Sequence, residues 1–167
     1  MPTARFSRSL KLPPVAVREA LSGILQSISQ GEHAWRGFQF HIELGKAHLP
    51  DVGFIAIPIR LQLAPEQPGI DQRKISIEAA RHPSSFPTFE GALGVDAVGS
   101  ASDESILWFI GDYHLPLGAL GALVDATLAT GIAERCLENF LEDLANACRA
   151  RVEKAEAGYI RYRHFGS

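Results

Sequence analysis

A chain of 167 residues, 46% hydrophobic and 21% charged, is long enough for one domain with a real core and too apolar for disorder. Its formal charge of −3 gives no general pull toward nucleic acid or an anionic membrane surface, so no nucleic acid is expected as a partner. There is no secretory signal pattern, and the longest apolar run, Leu115 to Val124, falls far short of the roughly 20 residues that span a bilayer; a cytoplasmic protein without stable membrane insertion is the expectation.

Residues 3–12 alternate, with Phe6, Leu10 and Leu12 on one face beside Arg8, which predicts a strand. Pro13 and Pro14 end it, and Pro14 suits the first turn of a helix. Val17, Ala20, Leu21, Ile24, Leu25 and Ile28 then recur at helical spacing until Gly31.

A run of strands follows. In 37–44, Phe38, Phe40, Ile42 and Leu44 share one face against Gln39, His41 and Glu43. In 54–63, Ile55, Ile57, Ile59, Leu61 and Leu63 alternate with Pro58, Arg60 and Gln62; Pro58 favours an edge position or a bulge. Ile75 and Ile77 mark a third strand that His82-Pro83 ends. Thr88 to Val98 and Ser105 to His114 read as two more, joined by the turn at 99–104.

The last third changes period. Ala133, Leu137, Phe140, Leu144, Cys148 and Val152 form the stripe of a long helix whose charged residues lie mostly elsewhere. Gly131 predicts a break or kink between it and a shorter helix over 117–128. Cys136 and Cys148 are twelve residues apart on that helix, about 18 Å along its axis, too far to pair. They read as buried hydrophobes of a reducing compartment.

No linker or charge block divides the chain, so a single domain over 1–167 is expected, with 157–167 as a partly ordered tail. An antiparallel meander with one apolar face must cover that face. The terminal helix, about 32 Å from Ile132 to Glu153, is the element that can.

The order of elements resembles the helix-grip superfamily, which includes START and Bet v 1-like lipid-binding domains and polyketide cyclases. FPTFEGALGV at 86–95, then LWFIGDYHLPLGALGALVD and IAERCLENFLEDLA, look like the C-terminal half of that superfamily's bacterial members. The likeness covers 86–146, and 3–63 only by pattern. It implies an α+β fold in which a curved antiparallel sheet grips a long C-terminal helix. Activity does not transfer with a fold.

Candidate chemistry is sparse. His41 with Glu43, and Asp112 with His114, make two short carboxylate–imidazole pairs, both on the face opposite the core and without recognisable zinc spacing. No nucleophile elbow, phosphate loop or dinucleotide fingerprint is present. No metal, no cofactor and no catalytic residue are therefore expected.

Arg8 shares a face with apolar residues and needs a partner, either a protein carboxylate or a ligand's acidic group. Tyr113 lies on the face of Leu107 and Phe109, where its hydroxyl wants a hydrogen bond. The tail YIRYRHF at 159–165 alternates aromatic and basic residues and fits packing on its own domain or on a second subunit, so a homodimer stays open. Trp108 and Ile110 hint at a partner surface.

The function expected is binding of a hydrophobic or amphipathic small molecule, lipid- or polyketide-like, between sheet and helix. Phe40, Ile42, Ile57, Ile59, Phe89, Phe109, Phe140 and Leu144 would be the walls, with Arg8 and Tyr113 as the polar groups. The alternatives are a cyclase- or aromatase-like enzyme and an oligomerising module with a filled core.

Overall fold

The structure, a computed structural model, describes residues 3–29, 39–43, 54–65, 71–81, 83–100, 103–115 and 126–164, and only the backbone of 29, 39–43, 54–56, 126–129 and 158–164. Its elements run β1 (Thr3–Leu10), α1 (Pro14–Ser29), β2 (Gln39–Glu43), β3 (Phe54–Leu63), β4 (Gln72–Ala79), β5 (Thr88–Ala97), β6 (Ser105–His114) and α2 (Ala126–His164). All strand pairs are antiparallel, in the order β1-β6-β5-β4-β3-β2. The meander therefore runs from β2 to β6, and β1 returns to flank β6.

Alternation chooses the faces. On β6, Ser105, Leu107, Phe109 and Tyr113 are buried, and Ile106, Trp108, Ile110 and Asp112 point the other way. The same period gives β4 its buried Ile75, Ile77 and Ala79. Pro58 falls where β3 changes partner: 54–58 pair with β2 and 59–63 with β4. Its carbonyl accepts from the Ala80 amide at 2.8 Å, so the missing N–H sits at a handover rather than inside a ladder.

Two glycines let the sheet bend. Gly91 on β5 faces Gly111 on β6, at inward positions between Phe89 and Leu93 and between Phe109 and Tyr113. A Cβ on Gly111 would lie 2.5 Å from the Gly91 Cα, and one on Gly91 would lie 2.7 Å from both the Gly111 Cα and Phe109 Cζ. Only residues without side chains fit where the strands close inward this tightly.

The long helix occupies the hollow. α2 packs against both β1 and β2, the two edges of the sheet. Its buried residues are Ala133, Cys136, Leu137, Phe140, Leu141, Leu144, Ala145, Cys148 and Val152. At 100° per residue they cover about 180° of the helix, well beyond the stripe a flat contact needs. Half the cylinder is enclosed.

α1 closes one end of this assembly. Val17, Ala20, Leu21, Ile24, Leu25 and Ile28 are buried, and α1 packs on α2, β3, β5 and β6. Arg18 fastens it, donating from Nε and Nη2 to the Val95 carbonyl at 3.2 and 3.0 Å and pairing with Asp71 at 3.3 Å.

The expected break at Gly131 is not there. α2 runs unbroken from Ala126 to His164, and a Cβ at Gly131 would meet nothing within 4 Å. A glycine costs a helix interior only about 1 kcal/mol against alanine, which the packed turns that follow offset. Residues 117–125 of the shorter helix expected there lie outside the described residues, and 126–128 are the first turn of α2.

Candidate binding site between sheet and helix

The inner surfaces bring most of the expected wall residues into one apolar cluster. Ile57 and Ile59 come from β3, Phe89 from β5, Phe109 and Tyr113 from β6, and Phe140 and Leu144 from α2. Register explains the meeting: Leu61, Ile77, Phe89 and Tyr113 form one continuous row across four strands. The Phe89 and Tyr113 rings lie 6.2 Å apart, tilted by 44°, within the range of favourable aromatic pairs. Phe40 pairs with Ile57 and Ile42 with Ile55 in the backbone of β2; their side chains lie outside the described residues.

Burial is uneven along the grip. Phe89, Phe109, Phe140 and Leu144 have no accessible surface, whereas Ile57 keeps 7% and Tyr113 3%. Beyond Tyr113, Phe86, Leu115 and Ile132 are only partly buried against the cluster. These residues sit at one end, where β6 finishes, β5 begins and α2 has its first described turns. The opposite end holds Leu10 and Cys148, both buried, beneath α1. Among the described residues, α1 covers one end, and partly buried apolar side chains border the other.

Arg8 lies at the rim with a protein partner. Its Nε donates to Glu142 Oε2 on α2 at 2.9 Å and its Nη1 to the Ser7 carbonyl at 3.0 Å. Arg149 Nη1 stands 3.7 Å from the same carboxylate and Nη2 reaches the Ser9 carbonyl at 3.5 Å. Two arginines thus clamp β1 to α2 through one glutamate. Of the two alternatives for Arg8, the structure contains the protein carboxylate.

Few polar groups of the described residues face inward. Among the described residues nothing hydrogen-bonds the Tyr113 hydroxyl, and the buried Ser105 Oγ has no partner. Burial pushes the Cys136 thiol up to about 12 and Cys148 up to about 11, the latter held back by Arg151 and Arg149. Such thiols stay protonated and inert near neutrality. On the outer face Asp112 accepts from Thr3 Oγ1 at 2.9 Å, Trp108 lies on Gly94, and Ile110 is exposed.

Solved structures match this arrangement over most of their length. A conserved protein from Geobacillus kaustophilus is 13% identical with a TM-score of 0.52, covering 89% of this chain and 96% of its own. XoxI from Bacillus cereus is 15% identical with a TM-score of 0.50, covering 88% and 95%. A START superfamily protein from Mycobacterium smegmatis is 15% identical with a TM-score of 0.43, covering 92% and 98%. The chain has the helix-grip fold.

No protein-family model matches the sequence, and no curated protein does. The likeness is one of architecture. Among the described residues of this helix-grip chain, no helix is long and apolar enough to cross a membrane. The row from Leu61 to Tyr113 was legible from alternation, and Arg8 from its place on an apolar face. Phe86, Leu115 and Ile132, partly buried at the end away from α1, were missed, because each lies outside the alternating or striped runs that mark an inner face.

Proposed function

We propose that this helix-grip chain binds a hydrophobic or amphipathic small molecule at the open end, between the sheet and the first half of α2. The apolar residues that keep surface there, Ile57, Phe86, Leu115 and Ile132, would cover the ligand's apolar part. Phe89, Phe109, Phe140 and Leu144 form the floor beneath them. Each Å² of apolar surface withdrawn from water contributes roughly 25 cal/mol, and Tyr113 supplies a hydroxyl to orient a polar end. Arg8 serves as a clamp on Glu142 rather than as a ligand contact.

The observation that carries this reading is the contrast between the two ends. α1 and its buried face close one, and half-buried aromatic and aliphatic side chains border the other. The inward groups described, one phenol, one serine and two raised thiols, suit holding an apolar molecule better than acid–base chemistry.

Native mass spectrometry of protein purified without detergent tests the reading. It predicts a co-purifying apolar molecule at one per chain, lost when Ile132 is replaced by Arg. Bare chains, together with no uptake of dodecanoic acid or of 1-anilinonaphthalene-8-sulfonate, would overturn it.

A further inference from the structure

Below the row of Leu61, Ile77, Phe89 and Tyr113, the next inward row of the sheet is nearly bare. It reads Leu63, Ile75, Gly91, Gly111 and Ala4 across β3, β4, β5, β6 and β1. Three adjacent strands, β5, β6 and β1, thus contribute nothing larger than a methyl group. The row after that carries Leu93 on β5, Phe109 on β6 and Phe6 on β1.

A bare row inside a core leaves a void unless a neighbouring side chain fills it. Phe109 is that side chain. Its ring leans out of its own row toward the end away from α1, with Cζ 2.7 Å from where a Cβ on Gly91 would stand. It keeps no accessible surface. One ring therefore occupies the level that the two glycines leave empty.

We infer that Phe109 sets the depth to which a ligand enters, and that the ligand is a single-chain amphiphile of medium length. The inference rests on the binding reading above. Leu115 borders the end away from α1, and Gly111 lies four residues deeper along the same strand direction, about 13 Å at the rise of a strand. An extended alkyl chain advances about 1.25 Å per carbon, so about ten carbons reach from Leu115 to the level of the Phe109 ring. Phe89, Phe140 and Leu144 have no accessible surface along this path, which favours one slender chain over a fused ring system.

Isothermal titration calorimetry of the full chain with straight-chain acids from octanoic to hexadecanoic, below their micelle concentrations, tests this. Each buried methylene tightens binding about fourfold, so affinity should climb from octanoic to dodecanoic acid and then level off. In Phe109→Ala the climb should continue, with tetradecanoic acid binding about tenfold tighter than dodecanoic acid. Phe109→Leu should move the same way by less, and it carries the test should the alanine variant not fold. Leu107→Ala, an equally buried change on β6 two residues deeper, should level off where the parent does. A parent affinity that keeps climbing past dodecanoic acid would overturn the inference and leave the binding reading standing. So would a folded Phe109 variant with the parent's profile. A parent that takes up none of the acids would overturn the binding reading and this inference with it.

Discussion

Gly91 and Gly111 face each other across β5 and β6, and neither position has room for a methyl group. The obstacle is neighbouring backbone, so no rotamer change can relieve it. Gly111→Ala should therefore destabilise the domain by about 1–3 kcal/mol, the usual cost of overpacking. Gly131→Ala, at an open position on α2, should instead stabilise it by about 0.5–1 kcal/mol. Urea denaturation of the two variants checks both signs.

The Arg8–Glu142 pair joins β1 to α2 with side chains 31% and 46% exposed. Solvent screens such a pair, so either single alanine variant should cost no more than about 1 kcal/mol. A double-mutant cycle should return a coupling of a few tenths of a kcal/mol, shrinking at high salt. A coupling unaffected by salt would contradict the assignment.

Both cysteines link stability to alkaline pH. Their thiols are raised from 9.0 to about 12 and about 11 by burial in the folded chain. Below the unfolded value both states are protonated and the contribution is complete. As pH climbs from about 9 toward 11 or 12 only the unfolded chain loses these protons, so stability falls. Urea midpoints between neutral pH and pH 10.5 should drop less steeply in Cys136→Ala than in the parent. Native protein should resist a thiol reagent at neutral pH that labels both residues once unfolded.

Ser105 is buried beside Leu10 and Ala97, and its hydroxyl has no partner among the described residues. Removing a buried donor that makes no bond relieves its desolvation cost, so Ser105→Ala should be neutral or stabilising by up to about 1 kcal/mol. Calorimetry would show the melting temperature unchanged or raised. A clear fall would mean the hydroxyl is bonded.

Alternation made the sheet legible. The strands 54–63 and 105–114 have the bounds their patterns predict, because each buries one face and a one-residue slip would expose it. Local spacing could not supply partners. Glu142 lies 134 residues from Arg8, and Gly91 meets Gly111 only once strand register exists. Gly131 misled because an isolated glycine is a weak helix breaker when the turns beyond it are packed. The candidate site was legible as an inner surface containing Phe89, Phe109, Phe140 and Leu144. Periodicity does not tell which stretch of such a surface stays open, since that depends on how side-chain volumes fill the hollow.

Methyl NMR of isoleucine, leucine and valine side chains during titration with dodecanoic acid tests the binding proposal most directly. The account predicts saturable shifts at Ile57, Leu115 and Ile132, with Ile110 on the outer face and Val15 on α1 unmoved. Shifts confined to those outer positions, or a mouth silent to dodecanoic acid and to 1-anilinonaphthalene-8-sulfonate alike, would contradict it.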